Sequence, residues 1–384
     1  MKKLKTIYSI LLVSILILSS CKSDDDSTPQ SPPDYASEFV GLWKFDNDEN
    51  YADAIFFGTS GEAFQVFYGD LNTIHLKLAD FNTYDFENNQ VSYFKFGNNP
   101  IPYEGGNTFA IPGNSMTKVN GVNKLDDVIE TLNVTQATSV DVTTFLSGDS
   151  FNNLDGFGDH LLVPNPSAAE GRYIRFQKSN LNFVEEVTGI GQTTTSIGVY
   201  DTNPFELLSV LENNNKFRTY QPNNPAFHPP AVDDIPFSPN RYRCHAVTNE
   251  SGKDLISYNR NTKSFNYHDV NSINEQQGVS SFAFYELPPS TLQIRGMDYV
   301  EGKNKLLITD SYNIHIFNVG FNSDRDDVSV FEHERSISIV PLRSTNESFF
   351  GRIQGLYYDS NETLYMVINN GGVIKLVKTV FEYF

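Results

Sequence analysis

From about Glu38 onward the chain reads as short apolar runs of four to seven residues, each closed by a cluster of turn formers. Ala63 to Phe67, Ile74 to Leu78 and Val91 to Phe96 are such runs; Asn88-Asn89, Gly105-Gly106 and Asn369 to Gly372 are such clusters. No stretch holds a 3.6-residue apolar period for three uninterrupted turns, and the best helical segment, Lys124 to Leu132, is short. This cadence predicts an all-β protein. It also repeats. Gly296-Met297-Asp298-Tyr299, then Lys305 to Thr309, then Asn313 to Phe317 form a three-strand phrase. Gly355-Leu356-Tyr357-Tyr358, then Thr363 to Val367, then Gly372 to Leu376 repeat it 59 residues on, counted from Gly296 to Gly355. Weaker copies centre on Leu255, Leu207 and Leu162, and the steps from Leu162 through Leu207, Leu255 and Leu306 to Leu364 are 45, 48, 51 and 58 residues. A sheet of that length cannot bury both of its faces alone. Arranged radially, each sheet covers its neighbour and keeps its edges short.

The phrase, a small residue entering the inner strand followed by an apolar second strand and an Ile/Val-rich third, resembles propellers of the NHL, YVTN and SMP-30-like families. That resemblance implies a β-propeller over residues 38–384, with about seven four-stranded blades, or six, at about 50 residues each. No WD dipeptide is present, and no Ca²⁺-binding or catalytic carboxylates of the enzymatic propellers can be carried over. Phe39 to Phe45 is the expected outer strand closing the last blade. A second division also fits: Gly41-Leu42-Trp43 and the strands to about Gly113 are similar to a lipocalin-like start, followed by a six-bladed propeller.

Ahead of this body, residues 1–20 read as a signal peptide: Lys2, Lys3 and Lys5, then the apolar run Ile10 to Leu18, too short to span a bilayer comfortably. Leu18-Ser19-Ser20-Cys21 resembles the bacterial lipobox, which implies a lipoprotein anchored through acyl chains, palmitate among them, on Cys21. Lys22, Ser23, Asp24, Asp25 and Asp26 are similar to the export tag that sends lipoproteins to the outer face of the outer membrane. Residues 21–37 then form a lipidated tether stiffened by its prolines. The expected location is the outer membrane, facing the exterior, with the membrane as first partner.

Composition limits the chemistry. Lys plus Arg number 28 against 47 Asp plus Glu, a net charge of −19, so a nucleic-acid partner is not expected. Two cysteines exclude a disulfide scaffold and a multi-cysteine zinc site. No metal site, cofactor or catalytic residue is assigned: Asp46 to Asn50 begins like an EF-hand loop but has Tyr51 at the turn glycine and Phe57 at the closing Glu. Asn322 to Asp327 is a second acidic loop, read as a blade edge. His75 and His315 hold equivalent strand positions, which points to architecture; His160, His228 and His245 fall in or beside loops. Lys216 to Arg243 interrupts the cadence with six prolines. It presents Arg218, Tyr220, Phe227, His228, Arg241, Tyr242 and Arg243, whose aromatic faces and guanidinium forks suit sugar rings and carboxylates. The expected function is a surface-exposed, non-enzymatic binding protein for a glycan or a partner protein, among them an outer-membrane protein. The alternative is a propeller-type polysaccharide lyase or hydrolase using His228 or His245 with Tyr242 and Arg241.

Overall fold

The computed structural model describes residues 34–49, 52–68, 74–134, 136–146, 153–165, 172–187, 194–202, 205–211, 216–220, 242–248, 254–259, 264–268, 279–282, 294–300, 302–322 and 327–384. The expected signal peptide (1–20), Cys21 and the expected export tag (22–26) lie outside them. A four-residue helix, α1 (Ala36–Phe39), leads into β1 (Gly41–Glu49), β2 (Ala52–Phe57), β3 (Glu62–Tyr68), β4 (Ile74–Glu87), β5 (Gln90–Tyr93), β6 (Ile101–Pro102), β7 (Thr108–Ile111) and β8 (Asn114–Lys118). These make one eight-stranded sheet in the order β6-β5-β4-β3-β2-β1-β8-β7, antiparallel throughout. Asn88 and Asn89, both at positive φ (52° and 58°), make the tight hairpin between β4 and β5.

Alternation along these strands divides their side chains between two cores. Ile55 and Phe57 of β2 join Phe39, Trp43, Tyr103 and Phe109 in an aromatic interior. Ala54 and Phe56 face the other way, into a core shared with Leu307, Ile316, Leu364 and Met366 much later in the chain. Phe39 fills the interior: its ring lies 5.1 Å from Trp43, 4.8 Å from Phe57 and 5.1 Å from Phe109, and its carbonyl accepts the Trp43 indole N–H at 2.7 Å.

After the short strands β9 (Glu130–Thr131) and β10 (Thr138–Asp141) the repeating phrases begin. The first sheet is β11 (Asp155–Phe157), β12 (His160–Asn165), β13 (Arg172–Gln177) and β14 (Phe183–Val187). The second is β15 (Thr194–Thr202), β16 (Phe205–Leu211) and β17 (Lys216–Tyr220); the third is β18 (Tyr242–Thr248), β19 (Asp254–Asn259), β20 (Ser264–His268) and β21 (Val279–Phe282). In the fourth, β22 (Gly296–Val300), β23 (Lys305–Thr309), β24 (Asn313–Asn322) and β25 (Asp327–Ser338) are joined by β9. In the last, β26 (Arg352–Asp359), β27 (Thr363–Asn370) and β28 (Val373–Val380) are joined by β10. The first strands touch in the cyclic order β11, β15, β18, β22, β26 and back to β11. This ring of radially packed sheets is a β-propeller.

The all-β propeller expectation holds, and the two clearest phrases are adjacent sheets. Leu306 and Leu364 are both fully buried, opposite Tyr299 and Tyr358. The arithmetic by length does not carry over. Among the described residues the ring has five sheets, where seven or six were expected; residues 41–118 form a sheet of their own, as the second division had it, but five sheets and not six follow it. The strand starting at Gly41 does not close the last sheet either: β1 pairs with β2 and β8. Closure falls to β10, whose Thr138 to Asp141 pair with Lys378 to Lys375 on the outer side of β28.

Candidate functional site

The ring brings its first strands together at the axis, and there the phrase carries polar chemistry. Asp298 of β22 and Tyr357 of β26 occupy the same position of neighbouring repeats, opposite Leu307 and Tyr365. Asp155 of β11 joins them from the other side. Each carboxylate reaches the next first strand: Asp155 accepts the Val199 N–H at 2.6 Å and Asp298 the Tyr358 N–H at 2.6 Å. Enclosure by protein pushes the Asp155 carboxyl up to about 6, against the Val199 and Gly156 N–H groups and Lys178, which favour its charged form. Burial, reinforced by Asp155, holds Asp298 well above the usual carboxylate range. The same burial, with Asp155, Asp298 and Asp359 around it, raises Tyr357. Gly156 is required for this packing, since a Cβ there would meet the Tyr357 ring at 2.3 Å.

Lys178, in the turn after β13, connects the axis to the surface. Its ammonium donates to the Tyr357 hydroxyl at 3.1 Å, lies 4.8 Å from the centre of that ring, and pairs with Asp359 at 2.9 Å. The Tyr365 ring is stacked on Tyr357 at 6.1 Å, and its hydroxyl, raised to about 12 by burial and then by Asp359, donates to the Lys178 carbonyl. Above these groups lies a cleft of about 450 Å³ between the first and last sheets. Gly158, Asp159, Gln177, Lys178 and Ser179 line one side; Asp359, Asn361, Thr363 and Lys378 line the other, with Gln136 beside them.

A second polar cluster lies inside the fourth sheet. Asp310, 2% exposed, accepts from the backbone N–H groups of Tyr312 (2.7 Å) and Asn313 (2.8 Å) and pairs with His315 Nε2 at 2.9 Å. His315 Nδ1 meets the Ser336 hydroxyl at 2.7 Å, which also meets His333 Nε2 at 2.9 Å. Burial, then the neighbouring His315, drives His333 down to about 4. The Asp–His–Ser order imitates a nucleophilic triad. Here the Asp and His are sealed in the sheet, and both ends of the chain join strands of one blade, so it stitches β24 to β25. His315 is thus architectural, as its strand position suggested.

The residues singled out in the sequence are placed differently. Arg218 and Tyr220 lie on β17, opposite Ser209 and Leu207. Tyr242 begins β18 opposite Asn259, and Arg243 falls at the irregularity before Cys244. The interruption is therefore shorter than Lys216 to Arg243, because both of its ends are blade strands. Phe227, His228 and Arg241 lie outside the described residues, so the seven are not seen to converge. His245 is paired in β18 opposite Ser257; His160 meets Arg175 Nη2 at 3.1 Å. The acidic start Asp46 belongs to β1, its carboxylate held by the Ser115 and Thr117 hydroxyls of β8, which lower its pKa. Among the described residues no group of three or more His, Cys, Asp or Glu is placed to hold a metal ion. Lys178, Tyr357 and Asp359 were missed by sequence reasoning. The available signal was the 59-residue offset, which sets Tyr357 in register with Asp298.

No family model matches the chain, and no curated protein matches it. Solved structures do. The luciferin-regenerating enzyme is 10% identical over 62% of this chain and 75% of its own, with a TM-score of 0.39. The β-propeller domain of Cps50 (Swd1) from Myceliophteria thermophila is 11% identical over 65% and 99%, with a TM-score of 0.38. The WD40 β-propeller domain of Doa1 is 10% identical over 88% and 93%, with a TM-score of 0.31. The ring of first strands, and not these distant likenesses, defines the fold.

Proposed function

We propose that this chain is a lipid-anchored binding protein on the outer face of the outer membrane, whose propeller offers a recognition surface to a glycan or a partner protein. The observation that carries the binding part is the open cleft between the first and last sheets, where polar and charged side chains from two blades converge above a fixed Lys178–Tyr357–Asp359 base. Small-ligand sites are usually preformed clefts in which a few placed polar groups fix the ligand's orientation. The anchoring part is supported by Leu18-Ser19-Ser20-Cys21 and the Asp24 to Asp26 run. The Cys21→Ala chain is expected to leave the membrane fraction, and protease shaving of intact cells is expected to digest the unaltered chain. Protection of the unaltered chain until the cells are lysed would put it on the inner side and end the display reading.

A further inference from the structure

The seam cleft supports a more specific assignment, which rests on the binding reading above and deepens it. Both of its ammonium groups are already engaged. Lys178 holds Asp359 at 2.9 Å and the Tyr357 hydroxyl at 3.1 Å, and Lys378 donates across the cleft to the Ser179 carbonyl. The lining holds Lys178 and Lys378 against Asp159 and Asp359, so its formal charge cancels and no cationic excess is left for an anionic ligand, while a chain of net charge −19 repels polyanions at longer range. The opening instead presents the carboxamides of Gln136, Gln177 and Asn361, the Ser179 hydroxyl and the Asp159 carboxylate. A carboxamide offers donors and an acceptor side by side, which suits adjacent hydroxyls that each donate and accept. Val380 adds a half-buried apolar side chain beside these polar groups. A peptide binding by strand addition would need a free strand edge to pair with. The walls here are hairpin turns and strand ends: Gly158 and Asp159 join β11 to β12, and Asn361 joins β26 to β27. The cleft volume, about 450 Å³, lies within the usual range of small-ligand sites.

We propose that the seam cleft binds a short neutral oligosaccharide, with Gln177 and Asn361 reading its hydroxyls from opposite walls. The test is calorimetric titration of the full chain in detergent with gluco-, manno-, galacto- and chito-oligosaccharides, and with uronate-bearing and sulfated oligosaccharides. At least one neutral series is expected to bind in preference to the charged ones. Gln177→Ala together with Asn361→Ala should weaken that binding about tenfold or more, equivalent to about 1.4 kcal/mol, with an unmoved melting temperature. Preference for a charged series, neutral binding indifferent to the two substitutions, or no heat from any neutral series overturns the assignment. Shaving of intact cells is read separately, so failure of sugar binding and failure of surface display are distinguishable.

Discussion

Burial pushes two aspartates of this protein the same way, yet their carboxyls end on opposite sides of the ordinary value, and the difference lies in what surrounds them. Asp310 would be raised by burial, but the His315 hydrogen bond and charge, with the N–H of Tyr312 and the Asn313 side chain, outweigh it and hold the carboxyl below its ordinary value of 3.8. Asp155 has fewer partners, and burial wins. The consequences for stability have opposite sign. A lowered acid contributes stability above its unfolded pKa and loses it as pH falls through the folded value. A raised acid contributes below its unfolded pKa and loses it as pH climbs, here between 3.8 and about 6 for Asp155. Replacing Asp155 and Asp298 together by Asn should therefore leave stability little changed near pH 4. Near neutral pH the same change should raise it by about 1–3 kcal/mol, since one pKa unit corresponds to about 1.4 kcal/mol. Asp310→Asn should instead lose stability near neutral pH and lose less on acidification. Denaturant melts from about pH 4 to neutral give the first difference and melts below pH 3.8 the second, and a pH-independent gap between the double variant and the parent would refute the first expectation.

At the scale of the element, the approach of one first strand to the next is limited by glycine. Gly296 lies so close to β26 that a Cβ would stand 2.9 Å from the Gly355 Cα, and Gly156 gives its space to the Tyr357 ring. Gly156→Ala is expected to displace that ring, release Lys178 from its hydroxyl, and cost about 1–3 kcal/mol, as overpacking usually does. A crystal structure of the variant with Tyr357 unmoved, or an unchanged melt, would contradict this. The sequence made such elements legible where the repeat was strong. Gly296 and Gly355 marked two first strands, and the buried run Leu364 to Ile368 marked a strand covered on both faces. Strand exchange was not legible. Thr138 to Asp141 looks like any short polar run, and its place beside β28 depends on the ring having closed. Lys178 and Asp359 were hidden for the same reason: turns of the first and last sheets meet only in the folded molecule.

For the whole molecule, the decisive contact joins the middle of the chain to its last strand. Val140 sits opposite Leu376, and a proline there removes a backbone donor from the clasp. Val140→Pro should expose the β28 edge, which calorimetry would show as an early transition and light scattering as self-association. A variant as monomeric and cooperative as the parent would show that the ring holds without its clasp. The core in which Leu42, Ala54 and Phe56 meet Leu307, Leu364 and Met366 predicts that the first sheet and the ring melt together. The clasp also imposes an order in time. Lys375 to Lys378 are synthesised long after Thr138 to Asp141, so four residues of finished strand must wait, unpaired, while the four intervening sheets emerge. Sequence-distant pairings of this kind slow folding. A nascent chain is therefore kept from closing its ring of blades until β28 has been made, and until then the outer edge of β10 stays open to other partners.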